Sequence, residues 1–172
     1  KEENLRIGYV TQFAVREKST DLTVFEYLAN DFVLMQKQQE EICEKMAVEE
    51  DLEPIYELYQ KMLDEYAAVD GDNYVSNIKK ELKTAGLEKY ENMLISNLSG
   101  GEYKLVQVIK QMLKKPALLI MDEPDVFLDF ENLNGLRDLI NAYKGTLMVV
   151  THSRYLLAHC FEKIWHLENG DL

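Results

Sequence analysis

Four short stretches carry side chains able to do chemistry together. The first is Asp122-Glu123, two adjacent carboxylates that close the apolar run 117–121. At a buried strand end, the first acid can hold Mg²⁺ through its water shell. The second can orient or deprotonate an attacking water. The next is Leu98-Ser99-Gly100-Gly101-Glu102, followed by a helical pattern. Ser99 can cap that helix, and the two glycines let backbone N–H groups approach an anion closely. The third is Thr151-His152, after another apolar run, where an imidazole can reach a terminal phosphate. The fourth is Gln12, at the end of a strand-like segment. Taken singly, each has a plainer explanation: acids opening a loop, a glycine-rich helix start, a structural histidine. Their order and spacing argue for a joint role. Asp122 lies 20 residues after Glu102, and His152 lies 29 after Glu123. His159 and His166 read as structural.

The elements around these residues must place them at one edge. Residues 5–12 alternate with β-branched and aromatic side chains and read as a strand. Residues 117–121 and 146–151 are apolar runs, as in strands buried on both faces. Residues 127–142 and 155–161 read as helices, and 164–167 as a strand leading into the Asn169-Gly170 turn. Helices alternating with buried strands make a parallel sheet of α/β type, whose carboxyl edge is where a phosphate–Mg²⁺ site lies.

From Thr23 the period is helical. Phe25, Leu28, Phe32, Met35, Ile42 and Met46 keep a heptad rhythm, with polar Gln39 at the missing place. Leu52, Ile55, Tyr59, Met62, Tyr66 and Val69 repeat it. The short polar stretch 48–51 joins them, so the pair reads as an antiparallel helical hairpin with arms of about 25–30 Å. Pro54 suits the first turn of the second arm, and Asp70-Gly71-Asp72 ends it. A third helix turns Tyr74, Ile78, Leu82 and Ala85 inward and stops at Gly86.

The chain has 172 residues, 47% hydrophobic and 29% charged, a globular rather than disordered balance. Its net charge of −12 excludes a broad basic nucleic-acid-binding face. Most of that charge sits in residues 40–72, which hold 12 acids and 2 bases. Such a run is a solvated face or a docking surface for a basic partner. No apolar stretch reaches the roughly 18 residues of a membrane span, so membrane insertion is not expected. Cys43 and Cys160 form no CxxC pair and read as reduced thiols of a cytoplasmic protein. The first residue is Lys1 with no signal-peptide pattern after it, and the expectation is a piece of a longer chain.

The ordered motifs resemble those of ATP-binding cassette ATPases. Gln12 matches the Q-loop glutamine, Leu98 to Glu102 the signature, and Leu118 to Glu123 the Walker B strand with its catalytic glutamate. Leu128-Asp129 matches the D-loop and His152 the switch histidine. Glu102 in place of Gln, and Tyr143-Lys144-Gly145-Thr146 running on to Thr151-His152-Ser153-Arg154-Tyr155-Leu156, resemble the ABC-F subfamily. Those are soluble tandem-cassette ATPases of translation, some of which protect ribosomes from antibiotics. The resemblance implies an α/β fold: a partial P-loop ATPase core with a parallel sheet, plus the hairpin inserted as the family's arm. It divides the chain into 1–20 (strand and Q-loop), 21–89 (helical subdomain with hairpin) and 90–172 (signature, Walker B and switch).

The resemblance further implies ATP and Mg²⁺ as cofactors, and a second cassette and the ribosome as partners. Glu123 and His152 would be catalytic. Gln12, Leu98, Ser99, Gly100, Gly101, Glu102 and Asp129 would bind nucleotide, and Asp122 and Gln12 would serve the metal. Three departures bear on catalytic rate and communication across the cassette pair. Asp125-Val126-Phe127 replaces Thr-Asn-His, Tyr103-Lys104-Leu105 replaces a basic run, and Ser153 replaces an Asp. None of the eight glycines opens a GxxxxGK[ST] phosphate loop, so residues 1–172 alone are not expected to hold ATP tightly. A membrane-transporter ATPase subunit and a non-enzymatic coiled-coil module are the competing functions.

Overall fold

A computed structural model describes residues 5–12, 21–48 and 52–166. Three strands form one parallel sheet in the order β1-β2-β3: β1 Ile7–Val10, β2 Leu118–Asp122 and β3 Thr146–Val150. Ile7 faces Leu118 and Val10 faces Met121, while Leu118 faces Thr146 and Asp122 faces Val150. The central strand therefore ends level with β3, and Gln12 follows two residues after β1. Parallel pairing puts all three carboxyl ends at one edge.

The period-2 alternation shows which face is covered. Val10, Leu119 and Met121 are buried with Leu136, Leu139 and Ile140 in one core. On the opposite face Ile7, Tyr9, Met148 and Val150 are exposed. The expectation of strands buried on both faces fails here: among the described residues, only one face is covered. An apolar run shows that a strand suits burial, not how many layers surround it.

The helices are α1 Val24–Met46, α2 Glu53–Ala68, α3 Tyr74–Thr84, α4 Gly100–Leu113, α5 Phe130–Ala142 and α6 Arg154–Cys160. Thr23 starts α1 with a reciprocal cap. Its Oγ1 accepts from the Glu26 N–H at 3.2 Å, and Glu26 Oε2 accepts from the Thr23 N–H at 2.8 Å. The antiparallel hairpin is present. Gln36 Nε2 donates to Tyr66 Oη at 2.8 Å, and Gln39 Nε2 donates to the Met62 carbonyl at 3.4 Å. Gln39, the polar break in the heptad, thus spends its amide on the facing arm.

The arms are unequal. Helix α1 has 23 residues and α2 has 16, so at ~1.5 Å per residue they span roughly 35 and 24 Å. The extra length lies at the start of α1, where Val24, Tyr27, Leu28 and Phe32 belong to the main core. Gly71 lies against the Tyr66 ring, where a Cβ would come within 2.3 Å of Cε2. Gly86, at φ +72°, closes α3 in the left-handed conformation that glycine adopts without strain.

Two boundaries shift. Helix α5 begins at Phe130 rather than 127, because Asp129 caps it and Phe127 sits at φ +65° in the preceding turn. Residues 164–166 form no strand: Ile164 and Trp165 are exposed and pair with no strand among the described residues. Residues 167–170 lie outside the described residues.

Candidate functional site

The strand ends build a first cluster. The Glu123 N–H donates to the Val150 carbonyl at 2.8 Å, carrying β2–β3 pairing one residue past the strand. Glu123 then turns at φ +42°, in the left-handed region that a residue with a Cβ adopts at a cost. Gln12 Nε2 donates to Glu123 Oε2. His152 Nε2 lies 3.6 Å from the other carboxylate oxygen, Oε1. The imidazole is 89% exposed, whereas the Glu123 side chain is 24% exposed. Glu123 is therefore a half-sheltered carboxylate with an amide on one oxygen and a histidine beside the other. A carboxylate fixed in this way can accept a proton from water.

Asp122 stands beside it, with Tyr9 Oη donating to Oδ2 at 3.5 Å. Thr151 Oγ1 donates to Asp125 Oδ1 at 2.6 Å and accepts from the Ser153 N–H at 3.0 Å. Ser153 Oγ caps α6 by accepting from the Leu156 N–H at 3.3 Å. Two positions that depart from the family pattern, Asp125 and Ser153, thus fasten the loops after β2 and β3. Among the described residues, no group of three or more His, Cys, Asp or Glu could hold a metal. The donor set of Asp122 and the Gln12 side-chain amide oxygen suits Mg²⁺, which takes one or two protein ligands and completes its shell with water and phosphate oxygens.

The second cluster is the N-terminus of α4. Ser99 Oγ accepts from the Glu102 N–H at 3.3 Å, and Glu102 Oε2 accepts from the Ser99 N–H at 2.7 Å. Burial pushes the Glu102 carboxyl up. Hydrogen bonds from Tyr90 and from the Ser99 main chain and hydroxyl outweigh burial and hold it below its usual range. A Cβ on Gly100 would meet nothing within 4 Å, so that face of the turn is open. Gly101 is closed: its Cβ would lie 2.7 Å from Asn132 Nδ2. Asn132 in turn donates to Asp129 Oδ1, from N at 2.9 Å and from Nδ2 at 3.0 Å. Glu102 and Asp129 line a cleft of about 270 Å³ with Tyr90 and Asn132. Leu98 is 3% exposed, so its side chain packs in the core and anchors the turn.

The structure therefore brings Gln12, Glu123 and His152 together with Asp122 alongside. It gathers Ser99, Gly101, Glu102 and Asp129 separately. His159 Nδ1 lies 2.7 Å from the Tyr155 carbonyl, and the two rings stand 4.6 Å apart, as befits a structural histidine. Cys43 and Cys160 are free. Lys104 was not expected at the site. It lies between the clusters, with Nζ 2.5 Å from the Thr11 carbonyl and 2.8 Å from that of Gln12. Its signal in the sequence was a lysine inside an otherwise apolar α4 face.

The profile of the family described as ABC transporter matches residues 1–126. The chain belongs to this family. It is 30% identical over 184 residues to the uncharacterized ABC transporter ATP-binding protein YfmM of Bacillus subtilis, covering 99% of this chain and 34% of that protein. It is 34% identical over 132 residues to the energy-dependent translational throttle protein EttA of Mycobacterium tuberculosis, covering 76% of this chain and 23% of that one. The chain thus spans about a third or less of the length of these curated relatives. The solved RNase-L Inhibitor superposes with a TM-score of 0.59 at 18% identity, over 99% of this chain and 27% of that one, which shows a shared ABC ATPase fold. The family is one of ATP-binding cassettes, and the resemblance to ABC-F proteins read from the motifs stands. Among the described residues, no helix is long and apolar enough to cross a membrane.

Proposed function

We propose that the chain is part of an ABC-F type ATPase that hydrolyses ATP between paired cassettes and acts on the ribosome. The observation that carries this is Glu123 held between Gln12 and His152 at the carboxyl edge of the sheet. In this reading Glu123 takes a proton from the attacking water, Gln12 fixes the carboxylate, and His152 donates toward the terminal phosphate. Asp122 and Gln12 would hold Mg²⁺, which would supply charge neutralisation on the phosphate oxygens. The Gly100 and Gly101 N–H groups bind the γ-phosphate presented by the other cassette, as helix N-termini bind anions. Asp129 fixes the start of α5 beside that turn.

Translation is supported by the name of the EttA relative, a translational throttle protein, and by kinship with elongation factor 3 of Gonapodya prolifera. The acidic hairpin repels RNA phosphate at short range, so it docks on a basic ribosomal protein. The protein works in the cytoplasm. Glu123→Gln in the full-length protein tests the base assignment. Turnover of Mg-ATP falls by about 100-fold or more, and the protein accumulates in an ATP-bound closed state. Unchanged phosphate release sinks the assignment. A transporter-subunit role is the second reading, favoured by the name of the YfmM relative. Stable co-purification with a membrane-spanning partner, and none with ribosomes, would establish it instead.

A further inference from the structure

Lys104 is 4% exposed, a charged side chain buried among the described residues. It sits on α4, two residues after the Ser99–Glu102 cap. Its ammonium donates to two consecutive main-chain carbonyls, Thr11 at 2.5 Å and Gln12 at 2.8 Å. Burial holds its pKa below the ordinary lysine value, against the opposing pull of the Asp122 and Asp125 charges. A buried ammonium is costly unless its donors are satisfied, and an apolar side chain would fill the same space at no such cost. The lysine therefore has a task that packing alone does not set.

That task follows from what lies at each end. The start of α4 carries the open glycine turn. The Gln12 main chain held by Lys104 carries the amide that donates to Glu123. We propose that Lys104 is a positioning residue that couples the glycine turn of α4 to the Gln12–Glu123 pair, so that phosphate engagement at the turn is felt at the catalytic carboxylate. Lys104 touches neither nucleotide nor water in this proposal; it acts through the Gln12 backbone. The coupling is physical, because a helix moves as a rigid element and the lysine fixes one point of it to the loop. The inference rests on the ATPase reading above and deepens it by naming how the two clusters communicate.

The test uses the full-length protein, well below its melting temperature. Lys104→Met keeps the apolar stem and removes the donors. Its kcat is expected to fall between about 10- and 100-fold, as for displaced positioning groups. KM for Mg-ATP should stay within about threefold of wild type, because nucleotide grip is not the lysine's task. Lys104→Arg, which keeps charge and donors, should restore most of kcat. The Gln12→Ala/Lys104→Met double variant should be no slower than Gln12→Ala alone, since both act through one group. Without nucleotide, residues 5–12 should exchange amide hydrogens faster in Lys104→Met than in wild type. Should that variant fail to fold, Lys104→Gln is measured in its place.

Wild-type kcat in Lys104→Met overturns the inference and leaves the ATPase reading intact. So do losses that multiply in the double variant. An ATPase-inactive wild-type protein defeats the earlier reading. Unchanged exchange at residues 5–12 in Lys104→Met overturns the inference in either case, because the lysine then does not hold the Gln12 main chain.

Discussion

The two clusters differ in how the chain assembles them. The glycine turn is local: Ser99 to Glu102 are consecutive and close their own capping box. The carboxylate cluster is not. Gln12 and Glu123 are 111 residues apart, and they meet only because β1 and β2 pair in one register. A one-residue slip of β2 would turn Leu119 and Met121 to the opposite face and take Glu123 away from Gln12. The first cluster therefore depends on a helix start, and the second on the whole sheet and its core. Perturbing the core should damage the second first, while changes at the cap should reach Glu123 only through Lys104 and the Gln12 main chain.

The largest break is at the centre of the sheet. Leu119 is fully buried on β2, so Leu119→Ala should cost about 2–5 kcal/mol in denaturant unfolding. Activity should fall with it, because the strand that carries Asp122 and Glu123 loses its packing. Gly135 comes next. A Cβ there would lie 2.5 Å from the Ala85 carbonyl oxygen, a main-chain atom that cannot swing aside. Gly135→Ala should cost about 1–3 kcal/mol, with the strain falling on the α3–α5 contact beside the glycine turn. Ser99→Ala removes the cap acceptor and should cost about 1 kcal/mol. If it disturbs the Gln12–Glu123 pair more than the start of α4, the two clusters are not independently built.

The smallest effect is on pH dependence. Glu102 is held below its usual range in the fold. Its contribution is therefore present above the unfolded value near 4.5 and is lost as pH falls through the lower folded value. Glu102→Gln keeps an acceptor for the Ser99 N–H but does not titrate. Melting temperature between pH 3 and 6 should fall less steeply with acid in the variant than in wild type. Equal slopes would show that the carboxylate is not what the turn holds.

Both clusters are legible in the sequence, by different routes. The cap, the glycines and the apolar run before Asp122 are local patterns, and they were legible. The parallel order followed from alternation, and the meeting of Gln12, Glu123 and His152 from the family resemblance. The expectation of burial on both faces fails because side chains such as Met148 and Val150 are apolar enough for either environment. Residues 164–166 have strand-like types but no partner among the described residues, and β-structure depends on pairing more than on propensity. Lys104 was legible only as part of the Tyr103-Lys104-Leu105 departure, because a lysine on a helix ordinarily marks its wet face. Its burial became visible only when α4 was seen packed against β1 with the Thr11 and Gln12 carbonyls beneath it. Asp125 and Ser153 read as departures, yet in the structure they tie down the loops around the carboxylates.

The central claim is that two separately built clusters, each facing a different nucleotide of a cassette pair, together hold one closed state. The most direct measurement is Mg-ATP retention after desalting. The full-length Glu123→Gln protein is compared with the Gly101→Val/Glu123→Gln double variant, whose Cβ intrudes on Asn132 beside the glycine turn. Retention by the single variant and loss by the double variant is the predicted result. Equal retention by both would mean that the turn takes no part in holding nucleotide, and would contradict the account.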